Sequence, residues 1–245
     1  GFGTLGTDIV YDSGDYATLI DKLLAGANWD AMQKDCAARR ARGELAGCGF
    51  GMFVEKSGLG PFDKVRIEVA PNGHIEVVTG VASIGQGVET AMAQIAAETL
   101  GVDYRGITVT HGKTDRIEKG MGAFASRVTV MCGEATRMAA AKLRETALAA
   151  AAELMQTAPD ALDIIDGEIV RAGKSGPSMR LGELSAGMAG NLKAEAEYTQ
   201  THMVYPYGAH VVQLALDAGT GGLEIEKYVV AYDVGKAVNP MMVEG

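Results

Sequence analysis

The first clear periodicity lies between residues 15 and 43. Asp15 stands as a candidate cap ahead of Leu19, Ile20, Leu23 and Leu24, which mark one helical face. Asn28 offers a second cap for a run ending near Gly43, and Gly26 between them is expected to mark a bend. The period then changes. Residues 45–55 are apolar and glycine-rich through Gly49-Phe50-Gly51-Met52-Phe53-Val54, the pattern of a buried strand closely approached by another backbone. Val65, Ile67 and Val69 alternate with Arg66 and Glu68. Pro71-Asn72-Gly73 supplies a turn and Ile75, Val77 and Thr79 resume the alternation, so a β-hairpin is predicted. Met92, Ile95, Ala96, Thr99 and Leu100 place a helix over 87–100, with a strand at 106–110.

Residues 129–157 carry the longest helical pattern. Its many alanines allow close packing against a sheet, and Pro159 is expected to end it. Asp166-Gly167 reads as a two-residue hairpin turn between short strands. Further strands are predicted at 194–204, 209–217 and 223–232, the last two joined by a turn over 217–222. Strands and helices come in blocks rather than in strict βαβ alternation, which makes the fold class α+β, mixed sheets with packed helices.

The length, 245 residues, suits one large domain or two small ones. Lys and Arg number 22 against 31 Asp and Glu, a net charge of −9. That balance argues against nucleic acid or anionic membranes as partners, which need clustered cations. The cluster Arg39-Arg40-Ala41-Arg42 has the spacing of a helix end. No apolar run approaches the roughly 20 residues that span a bilayer. Gly1-Phe2-Gly3-Thr4 has neither the basic nor the apolar region of a secretory signal, and without an initiator Met it reads as the start of a trimmed or excerpted chain. Cys36, Cys48 and Cys132 form no CxxC pair, and His74, His111, His202 and His210 have no ligand spacing. The chain is therefore expected to hold no metal by its own side chains and to belong in a reducing cytoplasm.

Three segments carry candidate chemistry. Gly85-Gln86-Gly87-Val88-Glu89-Thr90 opens a helix straight after a strand. Glycines admit a close ligand, helix-start N–H groups suit an anion, and Gln86 has an amide donor and acceptor for a heterocycle edge. Taken alone, a glycine turn before a helix explains it as well. Gly122-Ala123-Phe124-Ala125-Ser126-Arg127-Val128-Thr129 is a second small-residue loop feeding a helix. Arg127 offers a planar charged fork for phosphate or carboxylate, but Ser126 and Thr129 as caps and Arg127 on the surface account for it equally. No His and Asp pattern supports Ser126 as a nucleophile. In the third segment, 233–240, Asp233 and Asn239 suit a tight turn. Trp29 and Tyr205-Pro206-Tyr207 read as packing.

In order and spacing, these segments resemble the large subunit of molybdenum hydroxylases, the xanthine dehydrogenase, aldehyde oxidase and carbon-monoxide-dehydrogenase-like family. Residues 11–16, Arg42-Gly43-Glu44-Leu45-Ala46-Gly47-Cys48-Gly49 and Glu55-Lys56-Ser57-Gly58-Leu59-Gly60-Pro61 extend the likeness through nearly the whole chain, and Gln94-Ile95-Ala96-Ala97-Glu98 continues the first loop. Asn239-Pro240 and Val243-Glu244-Gly245 resemble the approach to a third cofactor loop. The resemblance implies an internal piece of such a subunit, with residues 1–43 ending the first molybdopterin-binding half and 44–245 forming most of the start of the second. It implies a molybdopterin, as the cytosine dinucleotide with Mo, contacted by Gly85, Gln86, Gly87, Ser126 and Arg127, with Ala125 near the metal and substrate. Val128 departs from the pattern, where the family usually has a second hydroxyl.

The implied activity is hydroxylation of an aldehyde or N-heterocycle with water as oxygen source. The general-base glutamate is expected beyond residue 245, and no catalytic residue within this chain. Electrons would pass to partner subunits, one carrying 2Fe-2S clusters and one carrying FAD, and a homodimer of that heterotrimer is compatible with the reading. By itself the 245-residue piece is expected to be inactive. The competing reading is a non-catalytic scaffold or degenerate subunit that shapes a partner's site. A generic nucleotide-binding module would need a GxGxxG or a P-loop, and neither is present.

Overall fold

The fold was obtained as a computed structural model and is described for residues 9–173 and 176–244. The readings made on Gly1–Thr4 and on Gly245 lie outside these. By internal contacts the chain forms two compact units, Gly1–Ser57 with Met203–Lys236, and Gly58–His202 with Ala237–Gly245.

In the first unit, Asp15 caps helix α1 (Tyr16–Ala27) by accepting a hydrogen bond from Thr18 N at 3.1 Å. The bend expected at Gly26 falls at Asn28, whose left-handed φ of 55° ends α1 and starts α2 (Trp29–Ala41). Asparagine tolerates that conformation because its short side chain adds little steric cost. Strands β1 (Leu45–Val54), β9 (Tyr207–Leu216) and β10 (Leu223–Asp233) form an antiparallel sheet in the order β1-β9-β10. Leu19, Leu23, Ala27 and Met32 of the helices bury Tyr207, Ala209 and Val211, with Trp29 packed beside them. The buried strand expected over 45–55 is instead an edge strand paired with β9. Among the described residues nothing lies within 4 Å of a Cβ built on Gly47 or Gly51, so no backbone packs on the strand face at those glycines. Apolar composition alone did not separate an edge from a centre. The Tyr207 hydroxyl donates to Asp233 Oδ2 at 2.7 Å and accepts from Asp15 N at 2.9 Å, which explains a tyrosine in this core. Arg39 pairs with Glu44 and Glu226 and Arg40 donates to Ala46 O, so these two arginines are engaged within their own unit. The segments on either side of the boundary expected at 43/44 belong to this one unit.

The second unit is built on β2 (Asp63–Val69), β3 (Ile75–Thr79), β4 (Ile107–Thr110) and β8 (Lys193–Tyr198), in the order β4-β3-β2-β8. The predicted hairpin is β2–β3, with Val65, Ile67 and Val69 buried. β8 ends at Tyr198, short of the expected 204. β3 and β4 run parallel, joined through helix α3 (Val88–Leu100), so the chain leaves both strands at the same sheet edge. Helix α4 (Gly133–Leu154) lays Ala135, Ala139, Ala140, Leu143, Ala147 and Ala151 into the core with Met92, Ala96 and Leu100 of α3. The helix expected over 129–157 is preceded by a separate π-helical turn, Val128–Cys132, and ends before Pro159. Asp166 and Gly167 have φ of 49° and 78°, the positive pair that a tight hairpin turn requires between β5 (Leu162–Ile165) and β6 (Glu168–Arg171). β7 (Met179–Arg180), α5 (Leu181–Gly187) and α6 (Pro240–Glu244) are too short to leave a period in the sequence. The whole is α+β with mixed sheets and packed helices, as the blocks of pattern implied.

Candidate functional site

Ligand sites on parallel strands form beyond their carboxyl ends, where the connecting loops diverge. Here the loop 80–87 leaves β3 and the segment 111–127 leaves β4 at that edge. The two cross at Gly80, where a Cβ would lie 2.4 Å from both Gly120 Cα and Lys119 O, and Gly122 N donates to Gly80 O at 3.3 Å. Only glycine admits this approach.

Between them is an open cleft of about 370 Å³, lined by Ile84, Gln86 and residues 123–129. Gln86, Ala125, Ser126 and Arg127, singled out separately in the sequence, thus meet at one place. Gly85 and Gly87 flank it on the first loop with φ of 97° and 76°. Gln86 Oε1 accepts from Ile84 N at 2.7 Å, which fixes the amide's orientation and leaves Nε2 as the group without a partner among the described residues. The side chain, expected to offer both donor and acceptor, presents a donor. At the start of α3, Glu89 Oε1 lies 2.7 Å from His111 Nε2, and Ser83 Oγ donates to Glu89 Oε2 at 3.2 Å. The Glu89 backbone N–H, then His111 and Ser83, hold its carboxyl below the usual range. Asn239 Nδ2 donates to Gln94 Oε1 at 3.1 Å and its Oδ1 accepts from Met242 N, so it both turns the chain and ties α6 to α3. Asp233 accepts from Gly235 N at 3.0 Å, the tight turn anticipated for it.

The second loop is strained. Ala125 and Ser126 are consecutive non-glycine residues in the left-handed region, with φ of 46° and 50°. Each costs about 1–2 kcal/mol, and such outliers persist where surrounding structure imposes them. Gly58 N donates to Ala125 O at 3.3 Å, and the next residue after the pair, Arg127, anchors the loop. It is fully buried, not on the surface as the alternative reading had it. Its Nε donates to Leu59 O at 2.8 Å, Nη1 to Gly122 O at 3.1 Å and Nη2 to Phe62 O at 2.5 Å. Nη1 also lies 2.8 Å from Asp63 Oδ2, an ion pair whose geometry falls short of hydrogen-bond alignment. The planar fork expected to grip a ligand anion thus grips its own chain. Burial pushes the Asp63 carboxyl up to about 6, against the opposing pull of Arg127. Beneath the loop, Cys132 Sγ lies 2.9 Å from Thr79 Oγ1, and burial raises its thiol to about 12.

Sequence reasoning missed Asp63, His111 and the π-turn. Asp63 opens β2, and only its zero exposure distinguishes it from a solvated acid. Val128 lines the cleft without a hydroxyl, but Thr129 lines it too, one position along. Among the described residues no group of three or more His, Cys, Asp or Glu side chains is placed to hold a metal ion, and no helix is long and apolar enough to cross a membrane.

A family model described as the molybdopterin cofactor-binding domain matches residues 22–245. Among curated proteins, the chain is 35% identical, over 99% of its length and 32% of the relative's, to the 6-hydroxypseudooxynicotine dehydrogenase complex subunit gamma of Paenarthrobacter nicotinovorans. It is 30% identical, over 96% of its length and 32% of the relative's, to the carbon monoxide dehydrogenase large chain of Hydrogenophaga pseudoflava. Among solved structures, quinoline 2-oxidoreductase from Pseudomonas putida 86 superposes with a TM-score of 0.82 at 31% identity, over 94% of this chain and 32% of that one. The chain spans about a third of the length of the curated relatives it matches.

Proposed function

We propose, for a chain that belongs to the molybdopterin cofactor-binding domain family, that the loops at 83–87 and 122–129 form one flank of a molybdopterin site. The carrying observation is the shared cleft, in which Gln86 Nε2 stands as an oriented donor opposite the strained backbone of Ala125 and Ser126. A pterin and its phosphates are rich in acceptors, which a fixed amide donor suits. Gly85 and Gly87 allow close approach, and Ile84 and Phe124, both exposed, supply apolar contact for a flat ring system. In this reading Gln86 and Ser126 bind and orient the cofactor, Ala125 faces the reacting end, and Arg127 acts from below by holding Ala125 and Ser126 in place.

The metal that a molybdopterin carries supplies the redox chemistry. The reaction class is hydroxylation of an aldehyde or N-heterocycle with water as oxygen source. No residue of this chain is assigned the proton transfer, and residues 1–43 and 44–245 fall in successive halves of the cofactor region. The cytosine dinucleotide form, partner subunits carrying 2Fe-2S and FAD, and a cytoplasmic setting belong to the same reading. Three free cysteines agree with the setting, and relatives named as a subunit of a complex and as a large chain agree with the partners.

The test is pterin content. Gln86→Ala in the cofactor-loaded protein is expected to lose one hydrogen bond worth about 1.5–3 kcal/mol and with it most of the pterin. Gln86→Glu keeps the acceptor to Ile84 N but replaces the donor with an anion, and is expected to do worse. Wild-type pterin content in both variants would refute the assignment.

A further inference from the structure

Gln86 can offer a fixed donor only if the loop around it is fixed, and its flanking glycines work against that. Gly85 and Gly87 lie in the left-handed region, and Gly87 gives α3 no side-chain cap. The rigidity has to come from elsewhere. Ser83 N–H points to His111 Nδ1 at 3.4 Å, so that nitrogen is the acceptor and the ring proton sits on Nε2, directed at Glu89 Oε1 at 2.7 Å. The other Glu89 oxygen receives the Ser83 hydroxyl at 3.2 Å. The result is a ring of three residues, closed through the Ser83 backbone N–H, that joins the loop before Gln86, the first turn of α3 after it, and the residue that follows β4. Each donor in the ring meets an acceptor.

We propose that Glu89, acting through Ser83 and His111, is a positioning residue that holds the Gln86 loop in its donor-outward form before the cofactor arrives. The proposal rests on the reading that Gln86 contacts a molybdopterin. Glu89 itself reaches back to the loop and the β4 end through atoms already engaged, and it does not line the cleft. Its effect on binding is therefore a saved ordering cost, since a loop already in its bound form loses less freedom on binding. Removing the carboxylate releases both ends of the ring at once. Replacing it by an amide keeps one oxygen for the His111 Nε2–H.

The experiment measures pterin, released and oxidised to its fluorescent form, per mole of cofactor-loaded protein, with thermal melting alongside. Glu89→Ala is expected to lower retained pterin about tenfold, with the melting temperature unchanged. Glu89→Gln is expected to recover at least half of the wild-type content, a rescue that loss of general stability would not produce. The double variant Gln86→Ala/Glu89→Ala is expected to hold no less pterin than Gln86→Ala alone, because a residue that acts only through Gln86 adds nothing once Gln86 is gone. Additive losses, full retention by Glu89→Ala, or a loss that follows a fall in melting temperature and is not rescued by Glu89→Gln would each overturn the proposal. Should Gln86→Ala keep its pterin, the site assignment falls and the positioning role with it. Should Gln86→Ala lose pterin while Glu89→Ala keeps it, the positioning role alone is wrong.

Discussion

Arg127→Met is the perturbation that separates a ligand-gripping arginine from one that holds its own loop. Methionine fills much of the volume and makes none of the polar contacts. Three partly buried carbonyls, of Leu59, Gly122 and Phe62, lose a charged donor, and the fully buried Asp63 loses its counter-charge. Bonds to charged groups contribute about 1.5–3 kcal/mol each, and relaxation returns part of that. The net loss is then about 3–5 kcal/mol, the range for a buried ion pair deprived of one partner.

The loss also depends on pH in a definite direction. Asp63 has its folded-state value raised from 3.8 to about 6, so the folded protein holds that proton more tightly than the unfolded chain. Its contribution to stability is greatest below 3.8, declines as pH rises through 6, and is flat above. Arg127 opposes that rise, so without it the decline extends to higher pH. The deficit of Arg127→Met relative to wild type should therefore be larger at pH 8 than at pH 5. Urea unfolding of both proteins at the two pH values measures it. Arg127→Lys should recover only part, since a single ammonium cannot reach three carbonyls in fork geometry. A loss below about 1 kcal/mol, or a deficit that does not change with pH, would refute the holding role and return Arg127 to the ligand.

Two further outcomes follow from the same region. Gly80→Ala drives a methyl to 2.4 Å from the backbone of Lys119 and Gly120, and should lower stability by about 1–3 kcal/mol through overpacking; a melting temperature equal to wild type would show that the two loops do not cross there. Cys132, buried and with its thiol raised to about 12, should resist alkylation at pH 8 in the folded protein and react once unfolded; peptide mass spectrometry showing native labelling at Cys132 would contradict its place beneath the loop.

Hydrophobic periodicity was enough to locate α1, the β2–β3 hairpin and α3, because each of these buries a face whose period the side chains must follow, while cap and turn residues located α2, the turn at Asp166-Gly167 and the junction of β9 with β10. The loops around Gly85, Gly87 and Gly122 were legible for a local reason, since backbone at positive φ selects glycine. Those properties depend on neighbours close in the chain. The partner of Arg127 does not: Asp63 lies 64 residues earlier, and nothing around either residue distinguishes a buried ion pair from two solvated charges. The same holds for Ser83 and His111, brought together by parallel pairing of β3 with β4, and for the exposure of β1, whose apolar glycine-rich run suits a sheet centre as well as an edge. The amino-acid order decided which segments are helix, strand or permissive loop. The Gln86 donor is set locally, by Ile84 N two residues earlier. Only tertiary packing decided that Arg127 faces inward, because that depends on which distant carbonyls arrive beside it.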